Sequence, residues 1–296
     1  MDENDKILLE YLFLDSRLST KKLSRLTGMK QPNIHKKLKK FQEKGFVTRF
    51  DSLLNIDMFS HKKVVYLVNV NEEKLKKIKK NLSCVSIYPL FHMYKYMVWC
   101  FFETNKERRE FESLLPKEHK KIIYNKTAAT KGTIFDKETK LHEWKKEYKK
   151  YKLSKEDFKI LKIMGEGGAR DTLLELEKKT GLSIDVIRYR KKKLEKNGYF
   201  LRHIIQPGNA FSSFKFIYVI FDTKEYIDPI TFDNSPRIVT ALSGKDKLIL
   251  SFFAWSLEDF IKSLNIALAR LRGKVKKQNI LFADKAILLN RYPMYS

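Results

Sequence analysis

The chain repeats itself. Gly28, Ile34, Phe41, Gly45 and Arg49 recur as Gly181, Ile187, Leu194, Gly198 and Arg202, every pair 153 residues apart. One coincidence of this kind carries little weight, but several in a single register require an internal duplication. Whatever the first half folds into, the second half must fold into again.

Within each copy the repeated residues bracket a basic helix. Lys30 to Gly45 holds six lysines and one acid, with Ile34, Leu38 and Phe41 at helical spacing. That pattern gives one face for a core and one face of cations. Ahead of it, Ser19 is a good N-cap for a short helix that turns Leu23 and Leu26 inward. Gly28 permits a tight turn, Pro32 suits a first helical turn, and Gly45 suits the end of the helix. Ile7, Leu8, Tyr11 and Leu12 mark a first helix from Asn4 to Leu14, and Phe46 to Phe50 reads as a strand of a wing hairpin. Residues 1–58 are therefore expected to form a winged helix-turn-helix.

Residues 153–208 repeat that order. Ser154 and Asp157 form a capping box, Leu173 and Leu176 mark the second helix, and Ser183 is the expected cap of the third. Lys191 stands where the first copy has Leu38, and Asp185 places an acid near the start of the helix. These departures predict a weaker or altered second reader. Gly165-Glu166-Gly167-Gly168 lacks the Gly-Lys-Ser/Thr ending of a phosphate loop and reads as a connection between helices.

Between and after these segments the hydrophobic period changes. Residues 62–136 follow the order β-α-β-β-α-β of a ferredoxin-like domain. Residues 213–292 repeat the pattern in modified form, since Asp228-Pro229 and Ser235-Pro236 break the stretch where a first helix belongs. Residues 137–152 set Leu141, Trp144, Tyr148 and Tyr151 on one face and read as a linker helix. The fold class is α+β: two winged helix-turn-helix domains alternating with two ferredoxin-like domains.

The net charge of +26 and pI near 9.8 point to a polyanionic partner, with nucleic acid foremost. Cys84 and Cys100 form no Cys-x-x-Cys pair and suit a reducing cytoplasm, where the chain is expected to reside. The acidic start Met1-Asp2-Glu3-Asn4-Asp5 is no signal peptide, and no apolar run approaches the ~20 residues of a membrane span. The histidines (His35, His61, His92, His119, His142, His203) show no ligand spacing, so neither a metal nor another cofactor is expected.

Asp5, Ile7-Leu8-Leu9, Ser19, Leu23, Gly28, Ile34, Gly45 and the ending at Arg49-Phe50 resemble the DNA-binding domain of Lrp/AsnC transcription regulators. The stretch from Glu156-Asp157 through Gly181-Leu182-Ser183 to Gly198-Tyr199 resembles it as well. In that family a ferredoxin-like sensing domain follows the winged helix, the order read here. Ser243-Gly244-Lys245-Asp246 is similar to a turn of that sensing domain, and Lys131-Gly132-Thr133 to a short motif after its last strand. Ser243, Gly244 and Asp246 are thereby candidates for a small-molecule effector site.

The resemblance implies double-stranded DNA as the partner and one chain mimicking a dimer, with further homo-oligomers open. Each third helix would enter a major groove, the two lying about 34 Å or a multiple apart. Base-edge candidates are Gln31, Asn33, His35 and Lys36 in the first copy, and Ser183, Arg188, Tyr189 and Arg190 in the second. Lys37, Lys39, Lys40, Lys192 and Lys193 are candidates for phosphate or for solvent. Because the two helices differ, the operator is expected to be asymmetric.

Two rivals stand beside this reading. Siroheme decarboxylases resemble the same two-domain unit, and His92-Met93-Tyr94-Lys95-Tyr96 is loosely similar to a His- and aromatic-containing stretch in them. His92 and Tyr94 would then border a tetrapyrrole pocket. The other rival is an adaptor or RNA-binding protein that reuses winged helices without reading DNA.

Overall fold

The computed structural model describes every residue except 1, 56–57, 60–61, 82, 92, 130–151, 209–214, 233–234, 236, 284–286 and 289–296. The linker helix expected over 137–152 lies, save for Lys152, outside the described residues, as does Lys131-Gly132-Thr133. The first half runs α1 (Glu3–Leu14), α2 (Thr20–Thr27), α3 (Gln31–Glu43), β1 (Val47–Leu54), β2 (Lys62–Val68), α4 (Glu72–Lys80), β3 (Cys84–Pro89), β4 (Tyr96–Phe102), α5 (Asn105–Glu112), β5 (Lys120–Tyr124) and β6 (Lys126–Ala129). The second half runs α6 (Lys155–Gly165), α7 (Leu173–Thr180), α8 (Ile184–Lys196), β7 (Phe200–Pro207), β8 (Lys215–Thr223), β9 (Ile238–Ser243), β10 (Lys247–Ala254), α9 (Leu257–Arg270), β11 (Val275–Ala283) and β12 (Ile287–Leu288). The chain divides into two compact units: residues 1–58 with 138–212, and 59–137 with 213–296.

In the first unit the helix boundaries follow from capping chemistry. Asp2 and Ser154 each accept from the N3 backbone of α1 and α6, where Asp5 and Asp157 return the bond. Gly28 and Gly181 close α2 and α7 in the left-handed conformation, with φ of 72° and 69°. Leu8, Leu12, Leu23, Ile34 and Phe41 are buried in the first copy, and Ile160, Leu161, Leu176, Ile187 and Leu194 in the second.

The wing departs from expectation. Phe46 to Phe50 does not begin a local hairpin; β1 pairs antiparallel with β7, its counterpart in the other copy. Asp51 lies opposite Ile204, its own equivalent at the repeat offset, while Val47 meets Pro207 and Leu54 meets Phe200. A residue facing its own repeat mate across an antiparallel pair marks a local twofold axis, as in an isologous dimer contact.

Side chains reinforce this seam. Arg17 Nη1 reaches Glu195 Oε1 at 2.6 Å and His203 Nε2 at 2.9 Å. Since arginine only donates, His203 Nε2 accepts, and its Nδ1–H is left to donate to Ser52 Oγ at 2.8 Å. Asn55 Nδ2 donates to the Gly198 carbonyl at 2.9 Å, and Arg170 donates to the Ser16 carbonyl at 2.8 Å. The glycine-rich connection joins in, as Ala169 N–H donates to the Phe50 carbonyl at 3.1 Å.

The second unit holds two five-stranded sheets, ordered β12-β3-β4-β2-β5 and β11-β8-β10-β9-β6. Each has the ferredoxin-like core order plus one strand from the other copy: β6 pairs with β9, and β12 pairs with β3. Helices α4 and α5 belong to the first sheet, where Val64, Tyr66, Val68, Leu75, Ile78 and Phe111 share one core. Helix α9 belongs to the second, with Phe260 and Leu264 in a core with Val219, Leu250 and Phe252. The opposite faces meet, since Tyr218 of β8 lies 5.2 Å from Tyr88 and 6.3 Å from Trp99 between ring centroids. Burial on both faces explains the unbroken apolar run Val64 to Val68. The missing first helix of the second domain is a single 3₁₀ turn, Pro229–Phe232. Cys84 lies opposite Cys100 across β3 and β4, both thiols free and buried.

Asp51, at the local twofold, is a titratable group in an unfavourable place. Burial pushes its carboxyl up from 3.8 to about 6, against the pull of Arg49. The native state therefore holds this proton more tightly than the unfolded chain. Its contribution is fully present below the unfolded value and is lost as pH rises through about 6. Asp51→Asn should match the wild type in urea unfolding at pH 4 and exceed it by on the order of 2 kcal/mol at pH 7.

Candidate nucleic-acid interface

Helices α3 and α8 are anchored by one face and exposed by the other. Ile34 and Phe41 of α3, and Ile187 and Leu194 of α8, are at most 1% exposed. From the opposite side α3 presents Gln31, Asn33, His35, Lys36, Lys39 and Lys40 to solvent. Helix α8 presents Ser183, Asp185, Arg188, Tyr189 and Lys192, with Lys193 half-buried. Neither N-cap, Lys30 or Ser183, makes a side-chain capping hydrogen bond, so the hydroxyl of Ser183 does not cap as expected. The first-turn N–H groups of both helices therefore keep their capacity for an anion.

Lys37 and Arg190 have a different role from their neighbours. Lys37 Nζ contacts Asp5, and Asp2 at 3.0 Å, tying α3 to the start of α1. Arg190, its repeat equivalent, reaches Ser154 Oγ at 2.7 Å, Glu156 at 3.2 Å and Asp157 at 3.3 Å at the start of α6. Burial alone would lower the Lys37 ammonium, but the hydrogen bonds it donates to Asp5 and Asp2 raise it. Both cations are thus engaged within the protein, where the sequence had suggested phosphate for Lys37 and a base edge for Arg190. Comparing the copies does not single this position out, since positive charge is kept at Lys37/Arg190 and equally at Lys39/Lys192 and Lys40/Lys193.

The remaining cations are held loosely. Lys39 lies 3.7 Å from Glu43 with both side chains exposed. Arg188 Nη1 donates to Asp185 Oδ1 at 2.6 Å, again on the surface. Lys191 replaces Leu38 without disturbing the helix: it is half-buried, and burial together with Arg17 lowers its ammonium.

Of the residues suggested for a small ligand, Ser243 and Gly244 are tied into the fold. Ser243 is buried and donates to the Ile227 carbonyl. A Cβ on Gly244 would lie 2.2 Å from the Ile123 carbonyl oxygen, so only glycine permits this turn to approach β5. Asp246 is exposed, and its carbonyl accepts from Thr223 N–H at 2.9 Å. Tyr94 is half-buried in the β3–β4 connection, on the other sheet, and His92 lies outside the described residues. Among the described residues no cluster of three or more His, Cys, Asp or Glu is placed to hold a metal, and no helix is long and apolar enough to cross a membrane.

Known proteins share parts of this architecture. Residues 1–48 match the family model of a winged helix-turn-helix DNA-binding domain. The HTH-type transcriptional regulator FL11 of Pyrococcus horikoshii is 23% identical over 120 residues, 39% of this chain and 80% of that protein. The solved siroheme decarboxylase NirDL is 13% identical, covers 96% of this chain and 92% of its own, and superposes with a TM-score of 0.54, a likeness of fold. A solved AsnC family transcriptional regulator from Agrobacterium tumefaciens is 18% identical over 42% of this chain and 89% of its own, with a TM-score of 0.35. The chain is an α+β protein of duplicated winged-helix and ferredoxin-like parts. Its first head is similar to winged helix-turn-helix DNA-binding domains, and its first part to an HTH-type transcriptional regulator.

The ion pairs separate anchoring residues from surface ones. Asp157 is 1% exposed, so Arg190→Ala leaves a buried carboxylate without its cation and should cost about 3 kcal/mol in urea unfolding. Arg188→Ala, which breaks an exposed pair, should stay within about 0.5 kcal/mol of wild type in the same measurement.

Proposed function

We propose that this chain is a transcription regulator that binds double-stranded DNA with two helix-turn-helix heads carried on one polypeptide. The observation that carries the reading is the pairing of β1 with β7 about Asp51 and Ile204. It relates the two heads by a local twofold, the symmetry of a DNA duplex about a base pair or step. The similarity to FL11, itself an HTH-type transcriptional regulator, supports the same reading. Gln31, Asn33, His35, Lys36, Ser183, Arg188 and Tyr189 face base edges; Lys39, Lys40, Lys192 and Lys193 hold phosphates; Lys37 and Arg190 position the helices. A small-molecule effector and further assembly are parts of this proposal, which places the protein in the cytoplasm with the DNA.

Charge reversal at Lys36, Lys40, Arg188 and Lys192 together should weaken duplex binding by roughly 100-fold and flatten the log-affinity against log-salt slope by roughly one per lost phosphate contact. Fluorescence anisotropy across a salt series measures both. Unchanged affinity in a folded variant would sink the proposal.

The fold match to NirDL over nearly the whole chain supports a second reading, a siroheme-decarboxylase-like enzyme. Titration with an iron porphyrin separates the two. A regulator should leave the porphyrin's absorption band unshifted and bind duplex DNA; a shifted band without DNA binding would favour the enzyme.

A further inference from the structure

We infer that the two heads read different half-sites and that Arg188, oriented by Asp185, reads guanine in the second. The inference rests on the DNA-binding reading above and concerns what each head recognises.

The two copies agree at one set of surface positions and differ at another. Lys39 and Lys40 are matched by Lys192 and Lys193, the same charge at the same place. Asn33, His35 and Lys36 are matched by Val186, Arg188 and Tyr189, a different side chain at each position. The buried positions beneath both sets are alike, as Ile34 is matched by Ile187 and both are fully buried. Phosphates are identical along any duplex, whereas base edges are not. Cations that hold the backbone can therefore stay the same in both heads, while residues that meet bases must change if the half-sites differ. The observed division follows that rule.

The chemistry of each head is specific. The first offers the Asn33 amide, which can pair bidentately with adenine, beside His35 and Lys36. The second exposes apolar surface on its reading side, Val186 at 37% and Tyr189 at 66%. The C5 methyl of thymine is the base-edge group that suits such surface in the major groove. Between them stands Arg188, with Nη1 bonded to Asp185 Oδ1 at 2.6 Å. The pair spans one helical turn on one face. Both side chains remain mostly exposed, at 61% and 88%, so the pair adds little to stability. Its effect is orientation: Asp185 engages Nη1 and leaves Nε and Nη2 donors for guanine O6 and N7. The acid that would otherwise repel phosphate is neutralised by the same contact.

Selection from a random duplex library with the full-length protein tests this. The expected site has two unlike halves about one helical turn or a multiple apart, one of them carrying guanine beside thymine. Arg188→Gln should erase the guanine preference in that half alone, by on the order of tenfold to hundredfold. Arg188→Lys keeps the charge but not the fork, so it should weaken the same preference less than Arg188→Gln does while keeping the wild-type salt slope. Asp185→Asn should weaken the guanine preference without weakening binding to unrelated duplex. Circular dichroism confirms that each variant is folded. A palindromic site, or a guanine preference unchanged in Arg188→Gln, would overturn this inference and leave the DNA-binding reading standing. No enrichment of any duplex at low salt would overturn both.

Discussion

The antiparallel pairing of β1 with β7 governs how the first unit is put together. A strand leaving a helix-turn-helix carries backbone donors and acceptors that need partners. A wing hairpin would satisfy them locally. Here the strand of the other copy does so, and with it come the Arg17–Glu195, Ser52–His203 and Asn55–Gly198 contacts that straddle the seam. The two heads are joined through main-chain hydrogen bonds and not through a linker alone, so their separation is a property of the fold. Asp51 sits at the centre of this arrangement, where Ile204 fills the equivalent place. The twofold is approximate because the two copies have diverged there as elsewhere.

The second unit follows the same physical rule. A ferredoxin-like sheet taken alone ends in an open edge, a liability for any sheet. Reciprocal exchange of β6 and β12 extends both edges at β9 and β3. The close approach of Gly244 to β5 shows how tightly the exchanged region fits, and it gives that turn a structural reason for its glycine. The tandem therefore combines two copies whose unmet backbone groups answer one another, at the wings and again at the sheet edges.

On the third helix of each copy, equal charges have unequal roles. Lys37 and Arg190 fasten the third helix to the first in each copy, through the same carboxylates that cap α1 and α6. Lys36, Lys39, Lys40 and Lys192 face solvent. A run of basic residues gives no sign of this division, since all read alike along the chain. The helices, their caps, the basic faces and even the loss of a helix at Asp228-Pro229 were legible, because period, capping and proline are local properties. Which lysines face outward was not, because it depends on a carboxylate more than thirty residues away.

By itself the sequence determined that the chain is a duplication, that each copy pairs a helix-turn-helix with a β-α-β-β-α-β segment, and that a basic face recurs on both third helices. Repeats and hydrophobic periods are written in neighbouring residues, and no distant contact is needed to see them. Only the tertiary structure decided which strand each strand would take as its partner. The wing strands chose each other, and β6 and β12 crossed between copies, since backbone hydrogen bonds are the same for every residue and carry no sequence label. The tertiary structure also decided which cations are spent inside the protein, because Lys37 and Arg190 meet carboxylates of α1 and α6 that lie more than thirty residues away in the chain.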